Sequence, residues 1–139
     1  AARSDHVERL IRPALEKGQW VICDRFVDSS RAYQGGAGGL CDADVLDLHR
    51  IGSMGLLPDL TLLIEVSPEV AQARTAARDG DALDRIGGRG AAYHAGVAAA
   101  FSALAEAEPE RFARIAGDGT PEEVFQDVLA ALQTRLGAS

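Results

Sequence analysis

The residues best equipped for chemistry lie in one short stretch, WVICDRFVDSSRAYQGG at 20–36. An apolar run ends there in Asp24 and Arg25, a carboxylate that can hold Mg²⁺ and a planar guanidinium that can bind a phosphate. The serines, the tyrosine and the glutamine that follow supply hydroxyls, a ring face and an amide, a set that suits a nucleoside. The alternative is an Asp-Arg surface ion pair at the end of a strand, followed by serines that only form turns.

A second basic group lies at 78–90, where Arg78, Arg85 and Arg89 stand among glycines and aspartates. Arginines that close over a transferring phosphoryl group stabilise the charge on its oxygens. These residues are therefore candidates for charge stabilisation in phosphoryl transfer. A solvated loop with incidental charges is the alternative.

No segment of the sequence has the pattern of a loop that cradles nucleotide phosphates. Such a P-loop needs Gly-Lys followed by Ser or Thr, and the only lysine of the chain is Lys17. The run GGAGG at 35–39 also fails the Gly-x-Gly-x-x-Gly pattern, because Cys41 stands where the third glycine would fall. We interpret this run as a flexible turn between a strand and a helix.

The elements that must position these residues follow from apolar periodicity and from helix caps. Helices are expected at 4–17 (with a kink or a local break at Pro13), 42–54, 67–78, 93–104 and 121–136. Buried strands are expected at 20–24 and 60–66, with a third candidate at 111–117. This order predicts an α/β fold with a parallel sheet, whose ligands bind at the carboxyl ends of the strands. Asp24 and Arg25 lie at such an end.

The composition argues against several classes of function. A net charge of −7 disfavours a nucleic-acid groove, which needs clustered Lys and Arg. No apolar run is long enough to cross a bilayer. Neither Cys23 nor Cys41 belongs to a Cys-x-x-Cys pair, so we expect reduced thiols in a cytoplasmic protein. The three histidines lack the spacing of metal ligands.

The stretch DRFVDSSRAYQGG resembles the Asp-Arg-aromatic, Ser and Ala-Tyr-Gln-Gly signature of the thymidylate kinases, which are P-loop nucleoside-monophosphate kinases. The segments AARSDHVERLIRPALEKG, PDLTLLIEVSPEVAQAR and RDGDALDRI are similar to the other parts of that family, in the same order. The resemblance covers essentially the whole chain. It implies one partial kinase domain over 1–139, with flanking helices on a parallel sheet and a lid at about 78–90.

The resemblance also implies which residues contact dTMP. Arg3 would read a carbonyl edge of thymine, and Ser30 and Gln34 would hydrogen-bond the base. Tyr33 would pack against the sugar where a ribose 2′-hydroxyl would stand. Arg25 would hold the phosphate.

For the transfer itself, the resemblance implies that Asp24 orients the phosphate and Mg²⁺. Arg78 and Arg85 become candidate charge stabilisers in the lid, and Arg74 a candidate for a position near ATP. Arg89 has no clear counterpart in the family.

In this family a central strand delivers the P-loop, and the resemblance places that strand and the next one outside this sequence. We expect about 60 residues for two such strand-helix units, at about 30 per unit. Strands 20–24 and 60–66 would then flank a gap and leave two apolar edges unpaired.

The expected activity is ATP-dependent phosphorylation of dTMP to dTDP with Mg²⁺ in a homodimer, while the 139-residue chain alone is expected to be inactive. One alternative is a non-catalytic fragment that binds a nucleotide or supplies a dimer surface. Another P-loop nucleoside or nucleotide kinase is the second alternative.

Overall fold

The structure is a computed structural model that describes residues 2–79 and 90–137. Its helical segments are α1 (Ala2–His6), a first π-helical segment (Val7–Ile11), α2 (Arg12–Glu16), α3 (Val27–Ser30), a second π-helical segment (Arg31–Gly36), α4 (Asp42–Ser53), α5 (Pro68–Asp79), α6 (Ala91–Ala107) and α7 (Pro121–Leu136). The strands in the described residues are β1 (Thr61–Glu65) and β2 (Phe112–Ala116).

The two strands form a parallel sheet, in register from Thr61 opposite Phe112 to Glu65 opposite Ala116. Parallel neighbours need a long crossover connection, and α5 and α6 lie between β1 and β2 in the sequence. The predicted α/β fold with a parallel sheet and flanking helices is therefore confirmed. The third strand candidate, 111–117, is β2 itself.

The chain divides into two compact units. The first unit contains the described residues up to Leu57 together with Ala95–Leu104, and the second contains Pro58–His94 and the residues from Ala105 onward. Each unit has its own buried apolar residues. Those of the first unit are Val7, Ile11, Val27, Ala32, Val45 and Val97, and those of the second are Ala105, Phe112, Ala113 and Ile115.

The kink expected at Pro13 takes the form of a widened turn before it. A proline has no backbone N–H to donate to the residue four positions earlier, and its ring crowds that carbonyl. The preceding turn, Val7–Ile11, is a π-helical segment, and the N–H of Arg12 donates to the carbonyl of Val7. Helical backbone therefore continues from Ala2 to Glu16 without a break.

The prediction of a buried strand at 20–24 is wrong for this structure. Residues 19–23 belong to neither a helix nor a strand, Asp24 and Arg25 form a bend, and Ile22 is 95% exposed. A strand needs a neighbour that satisfies its backbone N–H and C=O groups. Among the described residues no strand lies beside this segment, as the expected gap in the sheet implies.

The interpretation of the glycine run as a flexible turn is also wrong in part. Val27–Gly36 is helical, so that Gly35 and Gly36 end a π-helical segment. A side chain at Gly36 would place its Cβ 2.2 Å from the Cβ of Ala100 on α6, and one at Gly38 would lie 2.5 Å from the carbonyl oxygen of Gln34. The glycines are thus needed for close packing as well as for the turn.

Candidate functional site

The structure brings Arg3 and Ser30 into direct contact, although 27 residues separate them. Nη2 of Arg3, on α1, donates to Oγ of Ser30 at 2.8 Å and to the carbonyl of Phe26 at 3.4 Å. The Arg3 guanidinium also lies 5.7 Å from the centre of the Phe26 ring. Two residues that the sequence resemblance assigns to the base are therefore neighbours.

Arg25 and Tyr33 form a second pair. The Arg25 guanidinium lies 5.3 Å from the centre of the Tyr33 ring, within range of a cation–π interaction. The backbone of Arg25 is left-handed, with φ 61°, which is strained for a residue with a side chain. Such strain often accompanies a functional position, because the surrounding structure must hold it.

The helical segment Val27–Gly36 is the element that presents these side chains. Ser30, Tyr33 and Gln34 lie three and four positions apart, so they share one face of a helix. The Tyr33 ring packs edge-on against Phe101 of α6, with ring centres 6.3 Å apart. The spacing of the motif in the sequence contained this information, because a polar set at i, i+3 and i+4 indicates a helical face.

Asp24 is an exposed carboxylate in the bend beside Arg25. Within the described residues no three His, Cys, Asp or Glu side chains converge as a metal-binding group. A single carboxylate nevertheless fits Mg²⁺, because this ion usually keeps several waters and binds one or two carboxylates together with substrate phosphates. The donor set at Asp24 therefore suits Mg²⁺ that arrives with a phosphate.

A partly buried ion-pair network surrounds Arg31 in the same segment, and no pattern in the sequence indicated it. Arg31 is 6% exposed and donates from Nε and Nη2 to the two carboxylate oxygens of Asp42, at 2.8 and 2.9 Å. Its Nη1 donates to Oδ1 of Asp28, which is also buried, at 3.3 Å. These hydrogen bonds from Arg31 hold the pKa of the Asp42 carboxyl below its usual value, against a smaller opposing effect of burial.

His49 is a second buried polar residue that the sequence did not reveal. It is 5% exposed on α4, and its Nε2 donates to the carbonyl of Leu56 at 2.6 Å. Its ring meets the Phe26 ring edge-on at 5.4 Å. His49 therefore packs against Phe26, whose backbone carbonyl accepts a hydrogen bond from Arg3.

Arg74 lies in the second unit, where its guanidinium donates hydrogen bonds to backbone carbonyls. Its Nη1 donates to the carbonyl of Gly117 at 2.8 Å, and its Nη2 donates to the carbonyl of Gly119 at 3.0 Å. The backbone N–H of Ser67 donates to Oδ1 of Asp118 at 2.8 Å in the same loop. Arg74 thus fastens α5 to the loop that follows β2, and its position near ATP stays a prediction.

The lid arginines cannot be placed in the site. Arg78 lies on α5, near its end, and Arg85 lies outside the described residues, as does most of the expected lid at 78–90. Their assignment as charge stabilisers therefore stays a prediction. For the helices that the structure describes, none has the length and apolar character needed to cross a membrane.

Comparison with known proteins identifies the family of this chain. The family model for thymidylate kinase matches residues 1–128. The chain is 49% identical over 132 residues to a thymidylate kinase of Rhizorhabdus wittichii, a match that covers 95% of the chain and 64% of that protein. For a thymidylate kinase of Rhodopseudomonas palustris, the identity is 42% over 138 residues, with 98% of the chain and 60% of the relative covered.

A third relative comes from a different bacterium. The thymidylate kinase of Symbiobacterium thermophilum is 44% identical over 128 residues, which are 92% of the chain and 58% of the relative. The chain therefore spans less than two thirds of the length of these relatives.

Proposed function

This chain belongs to the thymidylate kinase family, and from that premise we propose that it forms the dTMP-binding part of an enzyme that phosphorylates dTMP to dTDP with ATP. The observation that carries the proposal is the contact between motif residues, one pair of which joins segments 27 residues apart. Arg3 meets Ser30, and Arg25 stacks on Tyr33. Together they supply donors for a base at one end and a cation for a phosphate at the other.

On the base side, the guanidinium of Arg3 and the amide of Gln34 hydrogen-bond thymine together with Ser30. A site whose polar groups are paired by one base strongly disfavours a base that leaves them unpaired, because a buried unpaired donor or acceptor is costly. Tyr33 packs against the sugar and leaves no room for a ribose 2′-hydroxyl. This selection favours a deoxynucleotide.

On the phosphate side, Arg25 binds the phosphate of dTMP and holds one of its oxygens toward the γ-phosphorus of ATP. A bond forms between that oxygen and the γ-phosphorus, the bond from the γ-phosphorus to the β–γ bridging oxygen breaks, and ADP leaves. Asp24 would hold Mg²⁺, which neutralises phosphate charge when bound. Arg78 and Arg85 would stabilise the charge on the transferring group.

The loop that cradles ATP must come from outside the 139 residues, because no Gly-Lys-Ser or Gly-Lys-Thr exists in them. We therefore expect the 139-residue chain to be inactive by itself. We place the complete enzyme in the cytoplasm as a homodimer, as the family resemblance implies.

The test compares the 139-residue chain with the protein at the full length that its gene encodes. ADP formation from ATP is measured with dTMP, UMP and dCMP as acceptors. We expect turnover with dTMP alone, and only in the full-length protein. Equal rates with dTMP and UMP would refute the substrate assignment, and no ADP from the full-length protein would favour a non-catalytic role.

Two arginine variants sharpen this test. Arg25→Lys keeps the charge but loses the planar fork, so it should raise the KM for dTMP by about tenfold or more. Arg50→Lys changes an arginine on α4 whose side chain is 70% exposed and serves as the matched control.

A further inference from the structure

Arg31 stands inside the same motif as the residues assigned to dTMP, but its side chain is buried. Ser30, Tyr33 and Gln34 share one face of Val27–Gly36, while Arg31 is turned inward and is 6% exposed. Its side chain is therefore engaged by Asp42 and Asp28 and is not presented to a ligand at the surface. Any effect it has on the substrate must act through the backbone that it holds.

The guanidinium of Arg31 is fixed from two directions. The bidentate pair with Asp42, at 2.8 and 2.9 Å, sets both the position and the plane of the group. The contact with Asp28 at 3.3 Å ties it to the preceding turn. Asp28 lies in the same helical segment, Val27–Gly36, whereas Asp42 lies in the first turn of α4, so the pair with Asp42 joins this segment to α4.

Stability alone does not account for this network. Taking the charges of Arg31 and Asp28 out of water is costly, and the Asp42 side chain is 47% exposed, so these ion pairs contribute little net stability. What the network does supply is geometry. It closes the chain between 31 and 42, and within that span the N–H of Leu40 donates to the carbonyl of Gln34 at 3.0 Å.

We propose that Arg31 is a positioning residue for dTMP, which through its pair with Asp42 on α4 holds Ser30 and Gln34 at the angle that the thymine base requires. The proposal rests on the proposed function. A rotation of the segment about its own axis would displace Ser30 from Arg3, whose Nη2 lies 2.8 Å from the serine Oγ. Small displacements of this kind weaken substrate binding even when every contacting residue is present.

The test uses the full-length protein and pairs of matched variants. Arg31→Lys keeps the charge but loses two-point contact, and Asp42→Asn weakens the pair while Arg31 keeps Asp28. Arg50→Lys and Asp47→Asn make the same changes in an exposed ion pair on α4, whose side chains are 70% and 67% exposed. KM and kcat are measured for dTMP at saturating ATP and for ATP at saturating dTMP, with the fraction of folded protein determined for each variant.

We expect Arg31→Lys and Asp42→Asn to raise the KM for dTMP about tenfold, with kcat and the KM for ATP changed by less than about twofold. The double variant should be no worse than Arg31→Lys alone, because both changes break one contact. Arg50→Lys and Asp47→Asn should match the unmodified protein.

Two results would overturn the positioning role while the proposed function stands. One is an unchanged KM for dTMP in both variants. The other is a fall in kcat at constant KM that follows the loss of folded protein, because that pattern indicates a purely structural role. Absence of dTMP turnover in the unmodified protein would instead refute the proposed function and this proposal with it.

Discussion

At the scale of single residues, Arg25 combines a strained backbone with a side chain assigned to the phosphate. Its φ of 61° lies in the left-handed region, which costs a non-glycine residue about 1–2 kcal/mol. Met54 has a similar φ of 52°, but it ends α4 and is 62% exposed. The strained backbone at Arg25 therefore coincides with an assigned function, whereas that at Met54 belongs to an ordinary helix end.

Replacing each of these residues by glycine should relieve the strain with different consequences for activity. We expect Arg25→Gly and Met54→Gly each to raise the free energy of unfolding of the full-length protein by about 1 kcal/mol. Arg25→Gly should abolish dTMP turnover, whereas Met54→Gly should retain it. Urea denaturation and an ADP-release assay measure the two effects.

A loss of stability in Arg25→Gly would contradict this expectation. It would mean that the stacking of the guanidinium on the Tyr33 ring, at 5.3 Å, stabilises the fold more than the backbone strain destabilises it.

The lowered pKa of Asp42 makes part of the stability depend on pH. Because the folded state binds the proton less readily than the unfolded state, this contribution is complete above the ordinary value of 3.8 and is lost as the pH falls through the lowered pKa. The Asp42 side chain is 47% exposed, so the effect should be at most about 1 kcal/mol.

We expect Asp42→Asn to reduce the difference in unfolding free energy between pH 6 and acid pH, measured by urea denaturation. Some difference should remain, because Arg114 lowers the pKa of Glu65 and the backbone N–H of Thr120 lowers that of Glu123. Asp47→Asn should retain the full difference. An acid slope in Asp42→Asn equal to that of the unmodified protein would show that the pair with Arg31 does not persist in solution.

At the scale of elements, the sequence predicted what depends on local signals. The capping box at Thr120 and Glu123 is present with its proline in the first turn, and β1 and α4 begin and end close to their expected bounds. The apolar character of residues 20–24 predicts a buried strand. Whether a strand forms, however, depends on the presence of a neighbouring strand and not on the segment alone. The buried Arg31 was missed because periodicity marks apolar faces, and a charge on such a face gives no signal of its partners.

Substitution of Gly36 tests how closely the helical segment Val27–Gly36 must approach α6. A Cβ at Gly36 would lie 2.2 Å from the Cβ of Ala100, so Gly36→Ala should destabilise the protein by about 1–3 kcal/mol. Gly96→Ala on α6 is the control, because its Cβ would meet Ala37 at an ordinary 3.7 Å. Thermal and urea unfolding of the full-length protein measure both.

A compensating change distinguishes crowding from a general intolerance of alanine. Ala100→Gly in the Gly36→Ala background should restore most of the lost stability, because it removes the opposing methyl group. If the double variant is no more stable than Gly36→Ala, the close approach of the two helices is not the cause.

At the scale of the whole molecule, the apolar segment 20–23, which precedes Asp24, pairs with no strand in the described residues, although its sequence predicts a strand. Trp20 is 62% exposed and Ile22 is 95% exposed. Within the described residues no backbone–backbone hydrogen bond involves 20–23. Exposed apolar segments with free backbone groups are templates for strand pairing between molecules. From the family resemblance we expect a parallel strand beside this segment in the full-length protein.

A single charge at Ile22 should therefore have opposite effects in the two lengths of the protein. In the 139-residue chain, Ile22→Lys should suppress self-association, measured by light scattering against concentration, because a lysine opposes edge pairing. In the full-length protein the same change should lower the free energy of unfolding by several kcal/mol, because it would bury a charge between strands. Phe125→Lys, at a 57% exposed position within α7, should do neither to the same extent, because its backbone bonds are made within the helix. Equal stability of Ile22→Lys and the unmodified full-length protein would mean that this segment remains unpaired there too.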